Sequence, residues 1–429
     1  MNKLIQRIKE KWGEAGFQRY FSSISWLFFS KILGMLIAFF VTAIIARYLG
    51  PEKYGTLMYA VSFVGLFSFL ASLGIDQILY RDIIKYPEKE GEILGTSFVL
   101  KIIGGIIALS MTVVFSLFFT DNILEKKLIF IISLSYIFQA FNIINYTFQA
   151  RLENKKLSYI TIATNIILAL LKLGIVFSNK GILFLSAILV IEPIIYGLFF
   201  IFYYSKHFGN IRKWTFNKSV AKTIIISSLP LMFSSIFIII YSRIDQVILK
   251  NYINAEAVGL YSSAVSLSEV WYFIPTMIVS TLFPSIINSQ KNDNYAYGKR
   301  IIKLTLFLVA VSSFIAIVGT IFAKPILHLV FGLGFIEAYK VLQLYIWSGV
   351  GISLGTIIIQ FLIAEKLSYI ILYTSIIGMI INVSLNLYLI PQYGIVGSAF
   401  ATLISYTVGP LTFLFFKVPR NKIIAIIKS

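Results

Sequence analysis

Cysteine is absent from this 429-residue chain, which excludes disulfides, thiol chemistry and cysteine metal ligands. Histidine is nearly absent as well, with His207 and His328 alone. No zinc cluster, phosphate-binding glycine loop or Ser/His/Asp set can be assembled from what remains. No metal, cofactor or catalytic residue is therefore expected, and the chain does not read as an enzyme. Charge is scarce: 13% of residues are charged, against about a quarter in a soluble domain. Long polar stretches are missing too. Each segment between apolar runs is about 20 residues or shorter, too little for an extramembrane ATPase or glycosyltransferase domain.

What fills the chain is apolar. Hydrophobic residues make up 58% of it and mean hydropathy is +0.87. Apolar runs long enough to cross about 30 Å of hydrocarbon as helices cover 26–47, 57–75, 94–119, 128–149, 159–178, 182–204, 223–242, 259–285, 304–323, 342–363, 369–390 and 395–416. They lack the alternation of barrel strands and are about twice as long. The first run is too long for a signal-peptide core and has no small-residue cleavage site, so it is expected in the mature protein. The expectation is an all-α integral membrane protein with twelve transmembrane helices.

The chain also repeats itself. KLSYI occurs at Lys156–Ile160 and again at Lys366–Ile370. Tyr48–Ser62 aligns with Tyr252–Ser266 at an offset of 204, and Thr164, Ile166 and Ile167 recur as Thr374, Ile376 and Ile377 at 210. Offsets this constant imply a duplicated half, the construction by which many transporters build a site between two rocking bundles.

Basic residues orient the spans. With the N-terminus cytoplasmic, 25 of the 37 Lys and Arg residues fall in inner segments and nine at outer ends; Lys31, Lys101 and Lys172 lie inside spans. Both termini are therefore expected in the cytoplasm. The resulting order is an amphipathic lead (1–22, with Leu4, Ile5, Ile8 and Trp12 at helical spacing), a six-helix bundle (23–205) and a basic cytoplasmic linker (206–222). A second six-helix bundle (223–416) and a cytoplasmic tail (417–429) follow. The net charge of +19 is mostly topology and contact with anionic lipid. Nucleic acid is not an expected partner, because no basic soluble domain exists to bind it.

Function then rests on polar residues within spans. Lys172 lies about 20 Å from the cytoplasmic end at 1.5 Å per residue, too deep to snorkel, so it should face protein or a wet cavity. Lys101 and Lys31 are shallower and within reach of the inner headgroups. The three lysines are the candidate cationic cavity. Glu192 and Glu269, each about halfway along a span, are candidates for ion coupling, since burial favours a bound proton or cation. The plainer alternative is a Glu192–Lys172 ion pair between helices. Asn142, Asn145, Asn382 and Asn386 read as interhelical hydrogen-bonding groups. Arg243 and Asp245, closing the seventh span, could pair with Arg47 or Glu52 to form an outer gate, or simply be solvated at the interface.

Ala46-Arg-Tyr-Leu-Gly-Pro-Glu-Lys-Tyr-Gly55, after the first span, resembles the ARxLGPxxYG signature of bacterial polysaccharide (O-antigen) flippases. These are the Wzx-like members of the multidrug/oligosaccharidyl-lipid/polysaccharide exporter superfamily. Gly74-Ile-Asp-Gln77, Phe148-Gln-Ala150, Arg243-Ile-Asp245, Val258-Gly-Leu-Tyr-Ser-Ser263, Phe331-Gly-Leu-Gly-Phe335 and Ile390-Pro-Gln-Tyr-Gly-Ile-Val-Gly397 follow in the family's order. The resemblance implies a V-shaped pair of bundles in the bacterial plasma membrane. It implies alternating access that moves undecaprenyl-pyrophosphate-linked oligosaccharide repeats from the inner to the outer leaflet, for O-antigen, lipopolysaccharide or capsule. Membrane lipids and the pathway's polymerase and chain-length machinery are the implied partners. An ion-coupled multidrug or small-solute antiporter of the same fold is the alternative, although its expected cavity is acidic and this N-terminal half carries three embedded lysines.

Overall fold

The computed structural model describes residues 15–290 and 294–428. Leu4, Ile5, Ile8 and Trp12 of the expected lead helix lie outside them. Among the described residues there is no strand, and nine helices are long and apolar enough to cross a membrane. A tenth span is the pair Leu333–Tyr345 and Ser348–Ala364, bent by 41°. The long helices turn large apolar side chains outward, Phe118 at 81% and Phe314 at 68% exposure among them. That is unfavourable in water and suited to lipid. The chain is a multi-pass helical membrane protein.

Two of the long helices contain a hinge. Ala15–Gly65 is interrupted at Gly50 (φ 71°, ψ 170°), followed by Pro51. Tyr369–Leu411 is interrupted at Gly394 (φ 59°, ψ −138°). Only glycine takes such angles without steric cost, and proline supplies no N–H to carry the helix across. The expected runs 26–47 with 57–75, and 369–390 with 395–416, meet at these points.

Besides 342–363, split by the bent pair above, three expected spans are broken internally. Residues 57–75 give way to a short helix, Ser68–Ser72, stopped by Leu73 (φ 52°) and Gly74 (φ 64°), and a new helix, Ile75–Lys85. At Gly74 a Cβ would stand 2.7 Å from the Met232 nitrogen, so the glycine is required by a backbone contact. Residues 128–149 become Ile123–Ser133, Ser135–Phe138, a 3-10 turn Gln139–Asn142 and Ile143–Ala150. Residues 259–285 become Ala255–Glu269 and Phe273–Gln290.

Contacts group the chain into two compact units. The first comprises the chain up to Ile45 together with Phe67–Ser235; its core gathers Ile75, Leu79, Leu94, Ile143, Phe148, Leu157 and Phe200. The second comprises Ile236 onward together with Ala46–Leu66; its core gathers Val279, Phe283, Leu308, Leu362 and Ile370. Residues 46–66, early in sequence, thus pack with the C-terminal half, and the linker 206–222 packs with the first unit. Within the second unit, Gly55 and Gly259 lie at a helix crossing so close that a Cβ on Gly55 would fall inside the Ala255 carbonyl and one on Gly259 inside that of Pro51. Small residues at such crossings supply the backbone contact that hydrophobicity cannot supply in lipid.

Candidate functional site

A cavity of about 600 Å³ opens within the first unit. Its walls are the first helix (Ser30, Lys31), the start of Ile75–Lys85 (Asp76), helix Glu90–Phe119 (Lys101), the segment 139–149, and helix Ile182–His207 (Glu192, Pro193, Tyr196). Asp76 owes its position to the two left-handed residues before it, which place it in the first turn of a new helix, where a carboxylate is favoured by the helix dipole. Gly104 allows helix Glu90–Phe119 to approach the Leu70 carbonyl. Lys101, three residues earlier on the same face, therefore reaches Asp76.

The ammonium of Lys101 lies 2.5 Å from Asp76 Oδ1, with the lysine side chain 6% and the aspartate 37% exposed. The half-buried Asp76 holds it inside the cavity. Lys172 lines a smaller neighbouring pocket of about 80 Å³ together with Glu192, and its Nζ stands 4.0 Å from Glu192 Oε2. That is the interhelical pair weighed above. Glu192 lines both pockets. Beside it, Pro193 leaves the Leu189 carbonyl without its helical donor. Lys31, exposed to the main cavity, has no ion-pair partner among the described residues.

The structure thus brings Lys31 and Lys101 into one cavity and places Lys172 beside it. Three lysines meet two carboxylates, Asp76 and Glu192, so the net positive charge resides on Lys31. Sequence reasoning passed over Asp76. Its signal was available in Gly74-Ile-Asp-Gln77, an acidic residue directly after a helix-breaking glycine at the end of a span.

The expected gate residues lie in the second unit, and among the described residues they form no ion pair with one another or with Glu52. Arg47 Nε donates to the Val330 carbonyl at 2.9 Å, and its Nη2 donates to the carbonyls of Leu329 and His328. It thereby satisfies the end of helix Ala323–Phe331, where unpaired carbonyls and the dipole favour a cation. Arg243 is exposed beside Gly65. Asp245 is buried and accepts from the Tyr261 hydroxyl at 2.5 Å and the Gln246 backbone N–H at 2.7 Å. Glu269 accepts from Tyr345 at 3.1 Å, whose ring meets that of Tyr261 edge-on at 5.9 Å. Asn382 donates to Ser405 at 3.0 Å, and Asn386 accepts from Ser398 at 2.8 Å, as expected of polar groups joining helices in lipid.

A helical, multi-pass membrane protein with a charged internal cavity is the architecture of a transporter. The chain belongs to the polysaccharide biosynthesis protein family, whose pattern matches residues 21–290. It is 24% identical over 408 residues to the capsular polysaccharide biosynthesis protein CapF of Staphylococcus aureus, spanning 92% of this chain and 98% of that one. It is 24% identical over 394 residues to the probable low-salt glycan biosynthesis flippase Agl15 of Haloferax volcanii, spanning 89% of this chain and 80% of that one. Among solved structures, an inward-facing multidrug resistance MATE family transporter of the MOP superfamily superposes with a TM-score of 0.69 at 15% identity, over 92% of this chain and 96% of that chain. The lipid II flippase MurJ, in an inward closed conformation, superposes with a TM-score of 0.67 at 20% identity, over 93% and 89%. At these identities both structures speak for the fold alone.

Proposed function

We propose that the chain is a flippase that carries undecaprenyl-pyrophosphate-linked oligosaccharide repeats from the inner to the outer leaflet of a bacterial plasma membrane, for a surface polysaccharide such as O-antigen or capsule. The carrying observation is the cavity walled by membrane-spanning helices, with Lys31 inside it and no ion-pair partner for it among the described residues, in a member of the polysaccharide biosynthesis family. A pyrophosphate cannot cross hydrocarbon unaided, and a lysine in a wet cavity lowers that barrier by charge pairing. Lys101 and Lys172 add to the cationic side when the ligand competes with Asp76 and Glu192 for them. Alternating access does the work, with no catalytic step. Glu192 and Glu269 are the carboxylates suited to a coupling proton or cation. Arg47 contributes to outer closure by holding the end of helix Ala323–Phe331, and Arg243 and Asp245 belong to the same unit. The polymerase and chain-length proteins of the pathway are the partners this role requires.

The test is complementation of a flippase-deleted host. The wild-type chain is expected to restore surface glycan. Lys31→Ala is expected to lower display roughly tenfold at unchanged membrane abundance, the loss of one charge-assisted contact, with Lys31→Arg retaining most activity. Normal display by Lys31→Ala would remove that lysine from the mechanism, and no display by an abundant wild-type chain would sink the flippase reading.

The topology that goes with this function has twelve spans, counting the helices hinged at Gly50 and Gly394 as two each, and both termini in the cytoplasm. Reporter fusions after residues 89, 155, 215, 295 and 425 are expected to read cytoplasmic, and fusions near 53, 124, 180, 252 and 335 external. An external C-terminus would require an odd number of spans and defeat the two-by-six arrangement.

A further inference from the structure

One wall of the cavity carries no charge. Gln139, Asn142, Asn145 and Gln149 follow one another at intervals of three or four residues from the 3-10 turn Gln139–Asn142 into helix Ile143–Ala150. That spacing sets them in a row on one face, and all four line the cavity together with Tyr146. The opposite face, Ile143, Ile144 and Phe148, is buried in the core of the unit.

A row of carboxamides is costly in a membrane-spanning segment unless something satisfies it. Elsewhere in this chain such groups are used up between helices, as Asn382 and Asn386 are. Here they are not. Gln149 donates to Asn145 at 3.0 Å and Gln139 reaches Ser135 at 3.4 Å, but the Asn142 side chain has no hydrogen-bond partner among the described residues. The row keeps donors and acceptors free toward the cavity.

A carboxamide offers an N–H donor and a carbonyl acceptor in one flat group. Sugar hydroxyls, which donate and accept at once, match that pattern. A phosphate calls for donors and positive charge, and a cation for oxygens alone. Tyr146 and, on the facing helix Ile182–His207, Tyr196 add aromatic rings of the kind that pack on the C–H faces of pyranoses. The row is about 15 Å long at 1.5 Å per residue, which suits a short oligosaccharide better than a single sugar.

We propose that this row is the glycan-recognition wall of the cavity. Gln139, Asn142, Asn145 and Gln149 bind sugar hydroxyls, Tyr146 and Tyr196 pack on the rings, and Lys31 is left to meet the pyrophosphate. The wall has this role only if the chain moves a lipid-linked glycan, as proposed above. Within that role it separates the groups that discriminate sugars from the lysine that meets the charge.

The experiment uses the full chain in a flippase-deleted host supplied with either of two undecaprenyl-pyrophosphate-linked trisaccharides. They are alike except that the terminal sugar is a hexose in one and the corresponding 6-deoxyhexose in the other. Surface display is measured relative to membrane abundance for Gln139→Leu, Asn142→Leu, Asn145→Leu and Gln149→Leu. In at least one variant the ratio of hexose to 6-deoxyhexose display is expected to change by roughly fivefold, the worth of about one hydrogen bond. Lys31→Ala lowers both alike. Where a leucine variant is lost from the membrane, the serine variant at the same position carries the measurement. If the wild type displays a glycan and every variant leaves the ratio unchanged, the wall is overturned and the flippase reading stands. If the abundant wild type displays neither glycan, the flippase reading falls and this inference with it.

Discussion

Lys101→Met is expected to cost the protein about 3 kcal/mol, the low end for removing one partner of a buried ion pair. The low end applies because Asp76 remains 37% exposed while the lysine side chain is 6% exposed. The uncompensated carboxylate would face a cavity walled by helices, and the expected consequence is strongly reduced membrane abundance and little surface glycan. Asp76→Asn should do similar damage by stranding the lysine. The double variant Asp76→Asn/Lys101→Met removes both charges and is expected to recover abundance, because replacing a buried pair with neutral groups is commonly tolerated. Thermal unfolding of the detergent-solubilised protein, read beside display in the host, separates the roles. Recovery of abundance without display assigns Lys101 a part in transport; recovery of both makes the pair a structural brace. An undiminished melting temperature in Lys101→Met alone would mean that the pair is not formed in the membrane.

The second large effect is expected at the glycine crossing. Gly55→Ala places a methyl 2.6 Å from the Gly259 nitrogen, and Gly259→Ala places one 2.9 Å from the Pro51 carbonyl carbon. These neighbours are backbone, so no side chain can swing aside, and overpacking of this kind costs about 1–3 kcal/mol or more. Leucine at either position should abolish transport. Gly174 is the control: it lies inside helix Asn154–Phe177, and a Cβ there meets nothing within 4 Å. Gly174→Ala is expected to leave display and stability intact. Wild-type melting and display in Gly55→Ala would show that the two helices do not cross this closely.

Several spans were legible from apolar runs alone. Asn154–Phe177 and Ile182–His207 differ by a few residues from the expected 159–178 and 182–204, because nothing but hydrophobicity defines them. The breaks were not legible. The interruption at Leu73–Gly74 exists because another helix, at Met232, needs the space, and a tertiary contact of that kind leaves no local pattern. The site divides the same way. Lys172 and Glu192 sit on successive spans, so their pairing could be anticipated from depth. Lys101 and Asp76 meet only because Gly104 admits the Leu70 carbonyl, and depth alone suggested that Lys101 could reach the headgroups instead. Arg47 was read as one of a set of charges at an outer gate. Its partners are backbone carbonyls at the end of a helix more than half the chain away, and backbone partners cannot be inferred from residue types.

The glycine crossing has a history written into it. Gly55 meets Ala255, and Gly259 meets Pro51; Pro51 and Ala255, like Gly55 and Gly259, are equivalent positions at the repeat offset of 204. The contact maps onto itself when the two copies are exchanged, as an isologous interface does between identical subunits. It is the contact that two six-helix copies would make as a homodimer; joined in one chain, the copies have a local concentration set by the chain itself and are free to differ. Lys172 and Asn382 stand at equivalent positions, 210 apart. One copy kept a charge beside a cavity, and the other settled for a buried hydrogen bond to Ser405.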